Sequence, residues 1–354
     1  MSSAPAKRRL HWMDMLRGAA IVMVLLWHGP AIQVLTHGEM PAAIKAVNMF
    51  FLPYRMPTLM ILSGLLLGAS LRKPLLVYWA GKVSMIVWPY LIWVTVDRFV
   101  EGSPHTWYHW RAWYATSYLW FLFFIGVYYV IAPLLRRLPL WVPVAAFALA
   151  NLVLPFGTEK RLAYFAVFFF LGHWLGSSTG LTERLTSGKI LWLWAPLAVV
   201  GGVFSSIYGL DLAYQIQYGV VSAAGVFVAI AVTRWIDEKG IKLSWLTRVG
   251  RNSIVYYCAH FPIMVGTIFL LHQLGLENFT LVSVINVAVA LVACGLLVRL
   301  REYPPVTWLF AAPFPLTAWA KRATERLTAG KGPAAEQLGA GPQDALPATE
   351  RDGS

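Results

Sequence analysis

The chain has 354 residues, of which 58% are hydrophobic and 13% are charged, and its mean hydropathy is +0.61. A soluble domain is about half apolar and about one quarter charged, so this composition excludes an ordinary soluble protein and predicts a polytopic membrane protein. The formal net charge is +13. In a membrane protein, basic residues of this kind fix the orientation of the helices, and we expect no nucleic-acid partner.

Apolar runs of about 20 residues, the length of a helix that crosses a bilayer, follow one another along the chain. They predict an all-α fold of about ten transmembrane helices, at residues 14–35, 48–70, 78–99, 117–135, 140–156, 162–179, 189–209, 215–235, 252–273 and 279–300. If the N-terminus is cytoplasmic, the outer loops receive few basic residues, namely Lys45, Arg98, Arg111, Lys160 and Arg161. Because basic residues concentrate in cytoplasmic loops, this distribution predicts that both termini are cytoplasmic.

The predicted organisation has four parts. Residues 1–13 form a cytoplasmic segment without a cleavable signal peptide, and residues 14–302 form the transmembrane domain. Residues 303–328 are apolar and basic and are broken by prolines, which predicts an interfacial or re-entrant segment, with an eleventh crossing as the alternative. Residues 329–354 are rich in Ala, Gly and Pro and are expected to be a disordered tail.

The first helix carries three polar side chains where hydrocarbon is expected. An Arg at mid-bilayer costs ~2.5–3.5 kcal/mol on insertion scales, so such residues usually mark functional cavities. Arg17 and His28 are eleven positions apart, which puts them within about 20° of each other on a helix and about 16 Å apart along it. Asp14 is three residues before Arg17, on the same face. The alternatives are an interfacial anchor for Asp14 and Arg17, and a packing hydrogen bond for His28.

The second helix contains Arg55 inside an apolar run, followed by Pro57, which tends to kink a helix. Ser63 and Gly64 lie further in and allow a close approach of neighbouring helices. Arg55 cannot be neutralised, so it needs an anion, a carbonyl or a carboxylate as its partner. The alternative to an anion site is a structural ion pair with an acid such as Asp14 or Asp97.

The ninth helix opens with a second polar stripe. Ser253, Tyr256, Tyr257 and His260 follow a spacing of three and four residues, which predicts that they share one helix face. His260 would lie about 12 Å into the helix, deeper than residues of an interfacial aromatic belt.

Other polar residues have simpler interpretations. Lys82, near the inner end of the third helix, can extend its ammonium group to the interface. His173 is expected to pack rather than to catalyse, and Cys258 and Cys294 are expected to be small core residues.

His105 and His109 have the spacing of a metal-binding pair, but no acid or cysteine nearby completes a tetrahedral site. We therefore expect a solvated outer loop and no metal.

Together these residues resemble acyltransferase family 3, a family of polytopic membrane O-acyltransferases. The resemblance rests on an ordered set of short motifs spread over residues 14 to about 300: Asp14, Arg17, Gly18 and His28; Arg55 to Pro57; Ser63 and Gly64; Leu119 to Leu122; and Gly250, Ser253, Tyr257 and His260. One feature departs from the family, which often has two Arg before the Pro of its third helix. Here Lys82 and Met85 stand in those places, before Pro89, so one of the two basic residues that the resemblance would assign to donor binding is missing.

The resemblance implies acyl transfer from acyl-CoA, with acetyl-CoA favoured as co-substrate, to a hydroxyl of a cell-envelope glycan, glycolipid or lipid-linked sugar. It implies the bacterial cytoplasmic membrane as the location, acyl-CoA bound from the cytoplasmic side and no bound cofactor. The expected catalytic residues are His28, Arg17, Asp14 and His260, and the expected substrate-binding residues are Arg55, Ser63, Lys82, Ser253, Tyr256 and Tyr257.

The chemistry expected at these residues leaves alternatives open. His28, neutral when buried, would act as the general base on the acceptor hydroxyl, or it would carry the acyl group itself as a relay. Arg17 or Arg55 would bind donor phosphate or stabilise the oxyanion. His260 or Tyr257 would orient the acceptor or act as an acid.

Two other functions are compatible with the sequence. Buried charges and histidines also suit a proton-coupled transporter or exporter. Transporters, however, often contain inverted repeats with paired broken helices, and this chain has one Pro-kinked helix without a counterpart. A non-catalytic envelope assembly protein is the second alternative, because Met85 would then mark a loss of donor binding.

Overall fold

A computed structural model describes residues 11–101, 108–209 and 213–329, and within these ranges the chain is helical and has no strand. The α-helices are α1 (His11–His37), α2 (Ala42–Leu65), α3 (Leu67–Leu71), α4 (Leu75–Lys82), α5 (Trp88–Glu101), α6 (Trp120–Leu135), α7 (Trp141–Val153), α8 (Thr158–Ser177), α9 (Leu181–Leu185), α10 (Gly188–Tyr208), α11 (Gly219–Glu238), α12 (Ser244–Arg251), α13 (Ser253–Gln273), α14 (Phe279–Leu300), α15 (Pro304–Trp308) and α16 (Leu316–Ala329). The predicted tail, 329–354, lies outside the described residues except for residue 329, as does His105 of the histidine pair.

Within the described ranges, eight helical segments are long and apolar enough to cross a membrane: His11–Leu35, Ala42–Leu71, Leu75–Val100, Ser117–Leu135, Gly188–Tyr208, Ile216–Glu238, Ser253–Gln273 and Phe279–Leu300. The prediction of an all-α polytopic membrane protein is therefore confirmed. Two other predicted crossings coincide with helices of weaker membrane character. α7 has 13 residues, about 20 Å of helix against the ~30 Å of a bilayer core, and α8 carries Glu159, Lys160 and Arg161 in its first turn. The count of ten crossings and the cytoplasmic termini stay predictions.

Helix α1 is the centre of the bundle, and it contacts α2, α11, α12, α13 and α14. Its contact with α12 is a backbone-to-backbone approach made by two glycines. A Cβ atom on Gly250 would overlap the Asp14 carbonyl oxygen and lie 2.8 Å from the Gly18 nitrogen, and one on Gly18 would overlap the Leu246 carbonyl oxygen. Small residues at a helix crossing allow this approach. The glycines of the first and last motifs therefore have a packing role, which holds the first helix against the segment that leads into α13.

The third predicted helix contains a change of helical type. α4 ends at Lys82, a π-helical turn covers Val83–Val87, and α5 continues from Trp88. A π-helical turn amounts to one extra residue in a helix, and such turns are frequent at functional sites. Met85 lies in this turn with 46% of its side chain exposed. The residue at the second basic position of the family thus points away from the protein core here.

The segment after α14 does not form one crossing helix. α15 has five residues, about 8 Å of helix, which is too short to span a bilayer. The chain then packs on the third predicted helix: Trp88 and Trp93 donate their indole N–H groups to the carbonyls of Trp308 and Leu309, at 2.7 Å and 2.9 Å. The location of this segment at the membrane interface stays a prediction.

Candidate active site

His28 of α1 and His260 of α13 face each other in the middle of the bundle. The two rings are 4.9 Å apart between centroids, and His28 Nδ1 is 3.2 Å from His260 Nε2. His260 is completely buried. Two histidines that are 232 positions apart in the sequence thus form one hydrogen-bonded pair.

Backbone carbonyls fix the protons of this pair. His260 Nδ1 lies 2.9 Å and 2.8 Å from the carbonyl oxygens of Tyr256 and Tyr257, and His28 Nδ1 lies 3.0 Å from that of Val24. A carbonyl oxygen only accepts, so in the neutral rings we assign the proton of each to Nδ1. His260 Nε2 then accepts from His28 Nδ1, whose single N–H is shared between this nitrogen and the Val24 carbonyl. Among the described residues, the hydrogen bonds of His28 all use Nδ1, which leaves the lone pair of its Nε2 available to a ligand.

A tyrosine from another part of the chain packs against the pair. Tyr118, just before α6, stacks on Phe261 at 4.6 Å and meets the His260 ring edge-on at 5.4 Å. Its hydroxyl donates to the Cys258 carbonyl at 2.7 Å, and the Tyr257 hydroxyl donates to the Tyr118 carbonyl. These reciprocal bonds lock α13 to the start of α6. Sequence reasoning missed Tyr118, although it directly precedes the Leu119 to Leu122 motif.

The backbone next to Tyr118 is strained. Ala115 and Ser117 have positive φ angles of 45° and 43°, a conformation that is uncommon for residues other than glycine. Such strain persists only where surrounding contacts impose it, and it clusters at functional sites.

A cavity of about 100 Å³ borders the histidine pair. Its lining combines one imidazole, one guanidinium and several aromatic rings, from His28, Arg55, Trp27, Tyr118, Trp120, Phe165, Tyr214 and Tyr257. The cavity therefore brings together residues of the first, second and ninth predicted helices, as the sequence predicted for His28, Arg55 and Tyr257.

Arg55 lines this cavity with only 4% of its surface exposed. Its Nη1 is 3.5 Å from Asn48 Oδ1, two helical turns earlier on α2, and its guanidinium lies 5.1 Å from the centre of the Trp27 ring. Among the described residues these contacts contain no carboxylate, so neither Asp14 nor Asp97 forms the structural ion pair considered from the sequence. The spacing of seven residues between Asn48 and Arg55 was the signal for this neighbour, since it puts both on one helix face.

Three other predicted residues meet at a second place, around Tyr129 of α6. Lys82 Nζ lies 3.4 Å from the centre of the Tyr129 ring and 3.4 Å from Ser70 Oγ. Arg17 is close enough to interact electrostatically with the Tyr129 phenol. The Tyr129 hydroxyl donates to the backbone carbonyl of Ser63 at 3.4 Å. We call Arg17, Lys82 and Tyr129 the inner cation cluster.

The inner cation cluster is separate from the histidine pair. Arg17 is about 16 Å from His28 along α1, so it does not touch a group that reacts at His28. Asp14 is about 21 Å from His28 along the axis of α1. Asp14 forms an ion pair with Arg251 of α12 at 3.1 Å, a partner that sequence reasoning missed. The ion pair reinforces the glycine contact between α1 and α12.

The polar stripe predicted on α13 is divided in the structure. Tyr257 lines the cavity and His260 contacts His28, which lines it too, whereas the Tyr256 hydroxyl points toward α14, 3.4 Å from where a Cβ on Gly295 would be. Ser253 is the first residue of α13 and is partly buried, seven residues before His260. The predicted common face therefore holds for Tyr257 and His260 but not for Tyr256, which contributes to the pair through its backbone carbonyl.

The residues expected to be structural lie away from the cavity. The His173 ring of α8 is 3.2 Å from Ser177 Oγ, one turn later in the same helix. Cys258 and Cys294 are buried free thiols.

Comparison with known proteins identifies the family of this chain. Residues 10–299 match the acyltransferase 3 family model, which is described as an acyltransferase domain. Comparisons with curated proteins and with solved structures give no match. Because the family model covers most of the chain, including His28 and His260, this protein belongs to the acyltransferase 3 family.

Proposed function

We propose that this membrane acyltransferase moves an acyl group, with acetyl favoured, from acyl-CoA to a hydroxyl group of a cell-envelope glycan, glycolipid or lipid-linked sugar. The observation that carries the proposal is the histidine pair beside the cavity, in which the lone pair of His28 Nε2 is available. A neutral imidazole with a fixed tautomer is a suitable general base for a hydroxyl group.

The proposed reaction uses that lone pair. His28 Nε2 takes the proton of the acceptor hydroxyl while the oxygen attacks the thioester carbonyl carbon. The carbon–sulfur bond of the tetrahedral intermediate then breaks, and the CoA thiolate takes the proton back from His28. The products are an O-acyl ester and CoA thiol, and the base is regenerated.

His260 would act on this reaction through His28. When His28 gains a proton on Nε2 it becomes an imidazolium, and its Nδ1–H donates to His260 Nε2 more strongly than the neutral ring does. Hydrogen bonds to charged groups contribute ~1.5–3 kcal/mol, which is why the pair favours proton transfer. His260 is thus a positioning residue.

Replacing His260 with Phe is expected to lower kcat about 10- to 100-fold while the KM for acyl-CoA stays within about twofold, because the charged state of His28 loses a stronger hydrogen bond than the neutral state does. His260→Gln, which retains an acceptor atom, is expected to recover part of kcat. Steady-state kinetics on purified protein check this. Equal losses for the two variants, or a loss confined to KM, would contradict the positioning role.

The donor would bind on the cytoplasmic side, where the inner cation cluster offers two positive charges to the phosphates of acyl-CoA. The pantetheine arm of CoA is a long extended chain, and the cluster lies about 16 Å along α1 from His28. Such a donor would have its phosphates at Arg17 and Lys82 and its thioester at the cavity. In this proposal Lys82 supplies the basic contact even though Met85 replaces the second basic residue.

Lys82→Met is therefore expected to raise the KM for acyl-CoA about tenfold, equivalent to about 1.4 kcal/mol, with little change in kcat. The salt dependence of KM should decrease, because one charge contact is lost. Lys45→Met, at the other end of the bundle, is the matched control and should change neither value. If the two variants behave alike, Lys82 has no part in donor binding.

The function is tested with membranes that contain the protein and radiolabelled acetyl-CoA. We expect label to enter a glycan or lipid fraction as an alkali-labile ester, and to be missing with membranes from a strain that lacks the gene. Mass spectrometry of envelope glycans from the two strains should show the same acyl increment. Equal labelling with and without the protein would overturn the proposal.

A further inference from the structure

A wide groove opens on the side of the bundle, and Arg55 lies at its inner end. Residues of α1, of the first half of α14 and of the first part of α2 line it. It has a volume of about 810 Å³, within the ~300–1,000 Å³ of typical ligand pockets. We call this the lateral groove; its lining includes Met23, Leu26, Val47, Phe51, Val284 and Leu291.

Arg55 connects the lateral groove with the reaction cavity, because it lines both. A molecule paired with Arg55 could therefore extend an apolar part outward along the groove and a polar part inward to His28. The other polar side chains of the groove, including Asn48 and Ser283, are uncharged. The single charged group of the groove lining is thus at the junction of the two spaces.

The contacts of Arg55 within the protein do not balance its charge. A guanidinium stays protonated in proteins, and a buried charge without an ionic partner is costly. The contact with Asn48 is long at 3.5 Å, and the Trp27 ring, 5.1 Å away, offers a cation–π contact but no negative charge. An anionic ligand at this position would supply the missing charge.

The surroundings of the groove indicate a lipid rather than a water-soluble anion. Leu26, Val47, Phe51 and Val284 line it with exposed side chains, and all four lie on helices long and apolar enough to cross a membrane. Such a wall accepts a hydrocarbon chain directly from the bilayer, whereas a free anion would have to cross apolar surface to reach Arg55.

We propose that the lateral groove binds the hydrocarbon chain of a lipid phosphate, that the phosphate pairs with Arg55, and that the hydroxyl-bearing head of this lipid is the acceptor at His28. The binding of the lipid stands on the groove and Arg55, whereas its part as acceptor rests on the proposed acyltransferase function. The acceptor class thereby narrows from glycans in general to anionic glycolipids or lipid-linked sugars.

The test is native mass spectrometry of the full-length protein in a non-ionic detergent, with dodecyl phosphate and dodecanol as probes. Wild type is expected to retain dodecyl phosphate at a concentration at least tenfold below that of dodecanol. Arg55→Gln should remove this preference, and Arg55→Lys should keep part of it. Val47→Trp, which fills the groove, should weaken retention of both probes, whereas Leu149→Trp on the exposed face of α7 should not.

Three outcomes would overturn the lipid site. They are equal retention of the two probes by wild type, an unchanged preference in Arg55→Gln, and displacement of dodecyl phosphate by an equal concentration of inorganic phosphate. The last result would indicate a site for a free anion.

His28→Ala separates this inference from the proposed function, because it should retain dodecyl phosphate as wild type does while acyl transfer is lost. Selective retention of dodecyl phosphate by wild-type protein that shows no acyl transfer would support the lipid site and overturn its acceptor role. Acyl transfer by wild-type protein that retains dodecyl phosphate and dodecanol equally would overturn the lipid site and leave the proposed acyltransferase function standing.

Discussion

Replacing His28 with Ala is expected to lower acyl transfer about 10²- to 10⁴-fold, the range that general base catalysis contributes. The reason is that His28 Nε2 offers the lone pair beside the cavity, and the carbonyls of Tyr256 and Tyr257 hold His260 in the tautomer that accepts from His28 Nδ1. The measurement is the acyl-ester content of envelope glycans in a deletion strain that carries equal membrane amounts of wild type or variant.

His173→Ala is the matched control for this experiment. It removes an imidazole from another membrane helix, where the ring contacts Ser177 and does not line the cavity. We expect it to restore the glycan esters as wild type does. If His28→Ala restores them equally well, His28 is not the base, and if both variants fail, the loss reflects folding rather than chemistry.

The second large effect is expected for Gly250→Ala. A Cβ atom there would overlap the Asp14 carbonyl oxygen, which belongs to a backbone and cannot move as a flexible side chain can. α1 and α12 would have to separate, which costs at least the ~1–3 kcal/mol of an overpacked site and weakens the Asp14–Arg251 ion pair. We expect a clear fall in the thermal unfolding midpoint of the protein in detergent, together with a lower yield of folded protein.

Gly266→Ala on α13 provides the comparison. No atom lies within 4 Å of a Cβ at this position, and alanine favours a helix over glycine by ~1 kcal/mol. Its unfolding midpoint should equal or exceed that of wild type. A midpoint for Gly250→Ala as high as that of Gly266→Ala would show that the α1–α12 approach is not as close as described.

Much of the fold could be predicted because hydrophobic runs report helices directly. Each of the ten apolar runs coincides with a helix, and the spacing of Arg17 and His28 separated two side chains that the structure also keeps apart, Arg17 near Tyr129 and His28 beside the cavity. Helical periodicity also predicted that Tyr257 and His260 share one helix face. Tyr256 and Tyr257 lie about 40° and about 60° from His260 on a helical wheel, on opposite sides of it, so periodicity alone does not decide which of the two tyrosines faces the cavity.

The partners within the site were not predictable in the same way. Three contacts join helices that are far apart in sequence: His28 with His260, Asp14 with Arg251, and Lys82 with Tyr129. Periodicity within one helix carries no information on which helix lies opposite. The positive φ angles before Tyr118 also have no signal in the sequence, since Ala115 and Ser117 are not residues that favour that conformation.

The π-helical turn at Val83–Val87 has a consequence for any experiment that changes the length of the third predicted helix. Deleting one residue from the turn would allow a continuous α-helix, but everything after it would rotate by about 100° relative to α4. Trp88 and Trp93 would then lose the carbonyls of Trp308 and Leu309, and the Ser84 carbonyl would no longer accept from Ala312, as it does at 3.1 Å. The extra residue of the turn therefore sets the rotation of α5 relative to α4. With it, Lys82 contacts Tyr129 in the inner cation cluster while Trp88 and Trp93, further along the same helical segment, contact the C-terminal segment.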